Sequence, residues 1–147
     1  MKAEDLILVS VDDHLVEPPD LFDGHIPERY RDQAPKVVRN DDGSDVWVFN
    51  GSVIPNIGLN AVAGRPKEEY GIEPTAFEEI RPGTYDVHER IKDMNAGGVL
   101  GSMCFPSFPG FSGRLFAAAD DKDLALAMVR AYNDWHVDEW CGAYPGR

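Results

Sequence analysis

Cationic side chains are scarce in this sequence. Lysine and arginine together number 14 against 26 aspartate and glutamate residues, which gives a formal charge of −12 at pH 7. Nucleic acids and anionic membranes are bound through clustered cations, so the composition argues against both classes of partner. An anionic substrate would need local positive charge, from a metal ion or from an arginine.

Cysteines and long apolar runs are also few. The only cysteines, Cys104 and Cys141, lack the spacing of a metal site, which predicts reduced, buried thiols. No segment approaches the roughly 20 apolar residues of a membrane span, and none has the charged head and apolar core of a signal peptide. We therefore expect a soluble, cytoplasmic protein.

What is present predicts an α/β fold. Apolar runs that begin at Leu6 and at Val99 predict two buried strands, and an amphipathic helix between Asp86 and Gly97 predicts that they are parallel. Alternating segments at 36–39, 45–49 and 52–55 predict a small antiparallel meander inserted after the first strand. A second helix is predicted from the acidic cluster at 120–123 to Gly142.

The first strand ends in two carboxylates and an imidazole. Side chains alternate along a strand, so Asp12 and His14 should share one face while Asp13 points to the other. A carboxylate and an imidazole two residues apart can bind one divalent ion, such as zinc or the harder manganese. The alternative is structural: Asp12 closes a turn and His14 bonds the backbone.

Three segments resemble the amidohydrolase-related metal-dependent enzymes, the group that includes aminocarboxymuconate-semialdehyde decarboxylase and the resorcylate decarboxylases. They are SVDDHLVEPP at 10–19, RPGTYDVHER at 81–90 and GVLGSMCFPSFP at 98–109, in the family's order. The resemblance implies that residues 1–147 are the N-terminal part of a TIM-type (β/α)8 barrel, with an insertion at about 36–82. A complete barrel needs about 250 residues, so the rest would lie outside this chain.

The resemblance also implies a ligand set. The first strand of the family's barrel ends in an acid-x-His or His-x-His pair that binds the metal, here Asp12 and His14. Val16 stands two positions further on, which excludes a His-x-His pair. Another histidine and an aspartate of the family's site come from later strands, which would follow Arg147. His25, His88 and His136 are interpreted as surface or core histidines, and the full-length form could be a homo-oligomer.

Three residues are candidates for substrate contacts, and no catalytic residue is assigned. Glu17 lies at the rim where the first strand ends, Phe108 belongs to an aromatic loop at 107–113, and Arg114 closes that loop as a possible anion partner. For Phe108 the alternative is packing against the meander.

The resulting hypothesis is a metal-dependent enzyme that hydrolyses a small carboxylate or carbonyl substrate, or decarboxylates it without redox chemistry. The alternative is a non-catalytic α/β binding module or a truncated, inactive relative of that family.

Overall fold

The computed structural model describes residues 2, 5–58, 61–110 and 113–147, whose strands form two sheets. The strands are β1 (Leu8–His14), β2 (Lys36–Arg39), β3 (Asp45–Phe49), β4 (Ser52–Ile54) and β5 (Val99–Phe105). β1 and β5 pair in parallel, and β2, β3 and β4 form an antiparallel sheet in that order. The predicted α/β class, parallel pair and meander are confirmed.

The α-helices are α1 (Val87–Gly97), α2 (Arg114–Ala117) and α3 (Lys122–Trp135), and a π-helical segment (His136–Cys141) continues α3. Short 3₁₀ turns occupy Glu28–Gln33, Lys67–Glu69, Phe77–Glu79 and Pro82–Thr84. Residues 19–25 form successive turns. Among the described residues, none of the helices combines the length and apolar character needed to cross a bilayer.

Both long helices begin as their sequences predict, whereas only α1 ends as predicted, because α3 stops at Trp135 and a π-helical segment continues to Cys141. The Asp86 carboxylate accepts hydrogen bonds from the backbone N–H groups of His88 and Glu89, and Asp121 caps α3 in the same way. Gly98 ends α1 with φ of 69°, a left-handed conformation that glycine adopts without a steric penalty. The reciprocal half of the capping box is missing, because the Glu89 side chain contacts Lys92 instead.

The hydrophobic core lies beyond the carboxyl ends of the parallel strands. Trp47 of β3, Phe116 of α2 and Met128 of α3 are almost completely buried there. Residues that directly follow β1 and β5, including Leu15 and Phe108, belong to the same cluster. The antiparallel sheet and the second half of the chain therefore pack together over the edge of the parallel pair.

The parallel strands themselves are covered on one side only. Ser102 of β5 and Asp13 of β1 face Arg90 of α1, whereas Val11 and Met103 are 64% and 51% exposed. We call the side opposite α1, with Val11, Asp12, His14 and Met103, the open face. The prediction of two buried strands is wrong, since no residue of β1 or β5 is buried and no described layer packs on the open face.

Each parallel strand contains one bulge. The pairing steps from Leu8–Val99 to Val9–Gly101, which leaves Leu100 as an extra residue in β5. It then steps from Ser10–Ser102 to Asp13–Cys104, so that two residues of β1 oppose Met103. A bulge bends a strand and redirects its side chains, and bulges are common beside active sites.

The two thiols are unpaired, as predicted, but they are not equally buried. Cys104 is half-buried on β5 and Cys141 is exposed at the end of the π-helical segment. Both line a cavity of about 240 Å³, together with Ile91 and Met94 of α1. The prediction of two buried thiols is thus wrong for Cys141.

Candidate metal and substrate site

Asp12 and His14 lie at the carboxyl end of β1, and both are exposed. Asp13 between them is turned toward α1, and we assign its two exposed neighbours to the open face. The His14 ring lies 6.1 Å from the ring of Phe105, its register partner on β5. Neither Asp12 nor His14 uses its side chain in a hydrogen bond or ion pair with a described residue.

Asp13 is fixed on the opposite side by three partners. Its carboxylate accepts hydrogen bonds from the hydroxyls of Ser10, at 2.8 Å, and Ser102, and an ion pair of 3.1 Å joins it to Arg90. Burial alone would raise the pKa of Asp13, but the two hydroxyls and the Arg90 charge outweigh it and lower the pKa below 3.8. The bulge in β1 brings Ser10 and Asp13 to the same face, which regular alternation would prevent.

Arg90 is the cation nearest to this strand end, and sequence reasoning missed it. Its guanidinium reaches the backbone carbonyl of His14 at 3.3 Å as well as Asp13. Arg114, the predicted anion partner, is exposed in the first turn of α2 and makes no described contact with Asp12 or His14. The sequence could have predicted this contact. Arg90 lies one turn into α1, and the helix of a βαβ unit packs against its strands.

Glu17 is completely buried, and its carboxylate is fully bonded within the chain. Oε1 accepts from the Ser107 backbone N–H and the Tyr132 hydroxyl, and Oε2 accepts from the Phe108 backbone N–H, all at 2.8 Å. Burial raises the pKa of the Glu17 carboxyl, although the three donors offset part of this effect. These contacts support a structural role for Glu17 in place of a direct substrate contact.

Phe108 packs in the interior. Its ring stacks on the indole of Trp47, with centroids 4.3 Å apart and planes inclined by 24°. Only 8% of Phe108 is exposed, so the structure favours the alternative in which this residue packs against the meander. Two residues of the predicted loop, Phe111 and Ser112, lie outside the described residues.

The other histidines make contacts of their own. His25 Nε2 lies 2.6 Å from a carboxylate oxygen of Glu139, and His88 Nδ1 lies 2.9 Å from the Tyr144 hydroxyl. His136 packs beside Tyr132, and burial lowers its pKa. Each is therefore placed as a surface or packed histidine, in agreement with its interpretation from the sequence.

The open face offers two of the ligands that a divalent ion would need. A carboxylate oxygen and an imidazole nitrogen are suitable ligands for zinc or manganese, and both side chains are available. In the ranges given above, no group of three or more His, Cys, Asp and Glu side chains is arranged to hold a metal. Asp12 and His14 would supply two ligands, so a tetrahedral site would need others.

Comparison with solved structures shows a similarity in fold. The chain resembles the crystal structure of amidohydrolase map2389c from Mycobacterium avium subsp. paratuberculosis K-10, with a TM-score of 0.64 and 19% sequence identity. The match covers 92% of this chain and 38% of that one. No protein-family model and no curated protein matches the sequence.

At this level of identity the match concerns the fold. The mixed α/β arrangement of the chain, with its parallel pair and its antiparallel sheet, is similar to part of a known amidohydrolase. The chain spans less than two fifths of the length of that enzyme.

Proposed function

We propose that this chain is the N-terminal part of a divalent-metal-dependent, amidohydrolase-like enzyme built on a (β/α)8 barrel. The observation that carries the proposal is the position of Asp12 and His14, at the carboxyl end of a parallel strand and free of other polar partners. Active sites of TIM barrels are built at this end of the strands. The likeness to an amidohydrolase fold supports the same assignment.

The open face is the second support. An exposed apolar surface beside a parallel pair is unusual, because parallel sheets are covered on both faces in α/β proteins. In a barrel, Val11 and Met103 would point into the closed interior and become buried. The insertion at about 36–82, with the core around Trp47, would then cover the mouth of the barrel beside the metal ligands.

In this proposal each residue has a limited task. Asp12 and His14 would hold a zinc or manganese ion, which would activate water or polarise a substrate carboxylate or carbonyl oxygen. Arg90 and Asp13 would keep the end of β1 fixed against α1. The reaction would be hydrolysis, or non-redox decarboxylation of a small carboxylate, and the ion would be the local positive charge that attracts the substrate.

Metal analysis of the complete translation product tests the assignment. We expect about one zinc or manganese per chain, and we expect Asp12→Ala combined with His14→Ala to remove most of it. Asp41→Ala combined with His88→Ala is the matched control, since both of these residues are exposed elsewhere. Unchanged metal content in the first double variant would contradict the site.

The reaction is tested separately with the metal-loaded protein. Assays for CO₂ release from aromatic carboxylates and for hydrolysis of esters, lactones and amides distinguish a decarboxylase from a hydrolase. Activity in either assay should disappear in the Asp12 and His14 double variant. Activity that survives in that variant would exclude the metal mechanism proposed here.

A binding module is the second candidate, and the size of the core favours it. Among the described residues, twenty buried hydrophobic residues form one cluster. A cooperative, monomeric melt of residues 1–147 alone would support a self-contained module, whereas aggregation or a molten species would support the barrel.

A further inference from the structure

Glu17 joins three separate parts of the chain through a buried carboxylate. It follows β1, and its oxygens bind two backbone amides of the segment after β5 and the Tyr132 hydroxyl of α3. We call Glu17, Ser107, Phe108 and Tyr132 the Glu17 network. We infer that Glu17 is a positioning residue, which holds the end of β1 in register with the segment after β5 and so fixes His14; this rests on the proposed metal site.

The connection from Glu17 to His14 is short and continuous. Ser107, whose amide binds Glu17, donates its own hydroxyl to the backbone carbonyl of Leu15 at 2.7 Å. The Leu15 amide donates to the Phe105 carbonyl at 3.1 Å, which extends the parallel pairing one residue beyond His14. The backbone directly after His14 is therefore held through Ser107, and Ser107 is held by Glu17.

A carboxylate suits this position better than an amide would. Three donors converge on Glu17, and a carboxylate offers acceptor sites on both oxygens. In Glu17→Gln one oxygen becomes an NH₂ group, which would face a donor and leave at least one of the three bonds unmade. An unsatisfied buried amide is costly, so the segment at Ser107 and Phe108 should shift to find another partner.

The network has no role in binding the ion directly. Glu17 is 0% exposed and all its described contacts are within the chain, whereas Asp12 and His14 are exposed. Any effect of Glu17 on the metal must therefore pass through the backbone. Residues that orient ligands in this indirect way typically change metal affinity by about 10- to 100-fold when they are mutated.

Cobalt binding to the complete protein tests the inference. Co²⁺ replaces zinc in such sites, and its visible absorption reports ligand geometry. For Glu17→Gln we expect the Co²⁺ dissociation constant to rise about tenfold, with a shifted visible spectrum. Hydrogen exchange at the Ser107 and Phe108 amides should become at least tenfold faster than in the wild type, while the β1 and β5 amides stay protected.

Two matched controls accompany this variant. Glu28→Gln makes the same chemical change at a side chain that is 76% exposed, and we expect wild-type cobalt binding. Tyr132→Phe removes one donor from the network and keeps the ring, and it provides the test if Glu17→Gln does not fold. We expect a two- to threefold weaker affinity for Tyr132→Phe and no change for Tyr70→Phe, whose side chain is exposed.

The outcomes separate the inference from the proposed function. If Asp12→Ala with His14→Ala binds Co²⁺ like the wild type, the metal site is wrong and the positioning role fails with it. If that double variant loses Co²⁺ but Glu17→Gln and Tyr132→Phe keep wild-type affinity and spectrum, the metal site stands and the inference alone is overturned. Faster exchange at every amide in Glu17→Gln would also overturn it, because Glu17 would then contribute only to global stability.

Discussion

β1 and β3 are both short apolar strands, yet their surroundings differ sharply. Four of the five residues of β3 are buried, and Trp47 at its centre is completely inaccessible. No residue of β1 is buried, and Leu8 and Val11 are more than half exposed. Apolar side chains favour burial of a strand, but they become buried only where another layer of secondary structure packs on that strand. For β3 those layers are present among the described residues, and for β1 one is missing.

The largest expected effect comes from a charge on the open face. In the proposed barrel, Met103→Lys would bury an ammonium group in the barrel interior, and we expect the complete protein not to fold. In residues 1–147 alone the same change should alter the free energy of unfolding by less than about 0.5 kcal/mol, because the site is exposed. Soluble yield and urea unfolding measure both. A stable, soluble Met103→Lys form of the complete protein would contradict the barrel.

The core around β3 should respond strongly to a large-to-small change. Trp47→Ala removes a buried ring that stacks on Phe108, and we expect the free energy of unfolding to fall by about 3–5 kcal/mol. Val11→Ala in β1 is the comparison in residues 1–147, with an expected change below about 0.5 kcal/mol. Urea titrations followed by far-UV circular dichroism measure the two values. Equal losses would mean that β1 is as well covered as β3.

Glu17 and Asp13 predict opposite dependences of stability on pH. The raised pKa of Glu17 favours folding at low pH, and this contribution is lost as pH rises above about 4.5 through the folded pKa. The lowered pKa of Asp13 favours folding above 3.8 and is lost on acidification. Relative to Glu17→Gln, the wild type should lose stability as the pH rises from 4.5 to the folded pKa, by at most about 1.4 kcal/mol per pH unit.

Urea unfolding at several pH values measures this difference. Relative to Asp13→Asn, the stability of the wild type should stay constant from pH 5 to 7 and fall below pH 4. A wild-type stability that rises with pH above 4.5 relative to Glu17→Gln, or that stays constant below pH 4 relative to Asp13→Asn, would contradict the assigned environments.

The smallest expected effect concerns the helix caps. Asp121→Ala removes the cap of α3, beside the core, and Asp86→Ala removes that of α1, beside the parallel pair. Each should reduce the free energy of unfolding by about 1 kcal/mol, because each carboxylate satisfies two backbone N–H groups. Thermal melts of the two variants compare the regions directly. A loss confined to Asp121→Ala would show that α1 adds little to stability.

Local patterns in the sequence predicted the elements well. The alternation at 36–39 and 45–49 gave β2 and β3 within a residue, because an Asp- and Gly-rich turn lies between them. Asp86 and Gly98 marked the ends of α1 for equally local reasons, namely an N-terminal carboxylate and a left-handed C-cap.

Side-chain contacts between distant residues were not predictable from these patterns. Glu17 and Tyr132 are 115 positions apart, and no periodicity connects them. The sequence did contain one unused signal, since a glutamate between Val16 and Pro18 in an apolar context must find buried donors. The bulges in β1 and β5 were also missed, because register depends on both strands together.

Those two bulges have a consequence for how the strands can vary. From the Leu8–Val99 pair to the His14–Phe105 pair, each strand advances by the same number of residues, since the extra residue of β5 compensates for the one in β1. Deletion of one residue from one strand alone would shift His14 by one position relative to Phe105. Deletion of one residue from each strand would keep the two residues paired. Insertions and deletions in these two segments should therefore be tolerated only as complementary pairs, even though the segments are separated by more than 80 residues of chain.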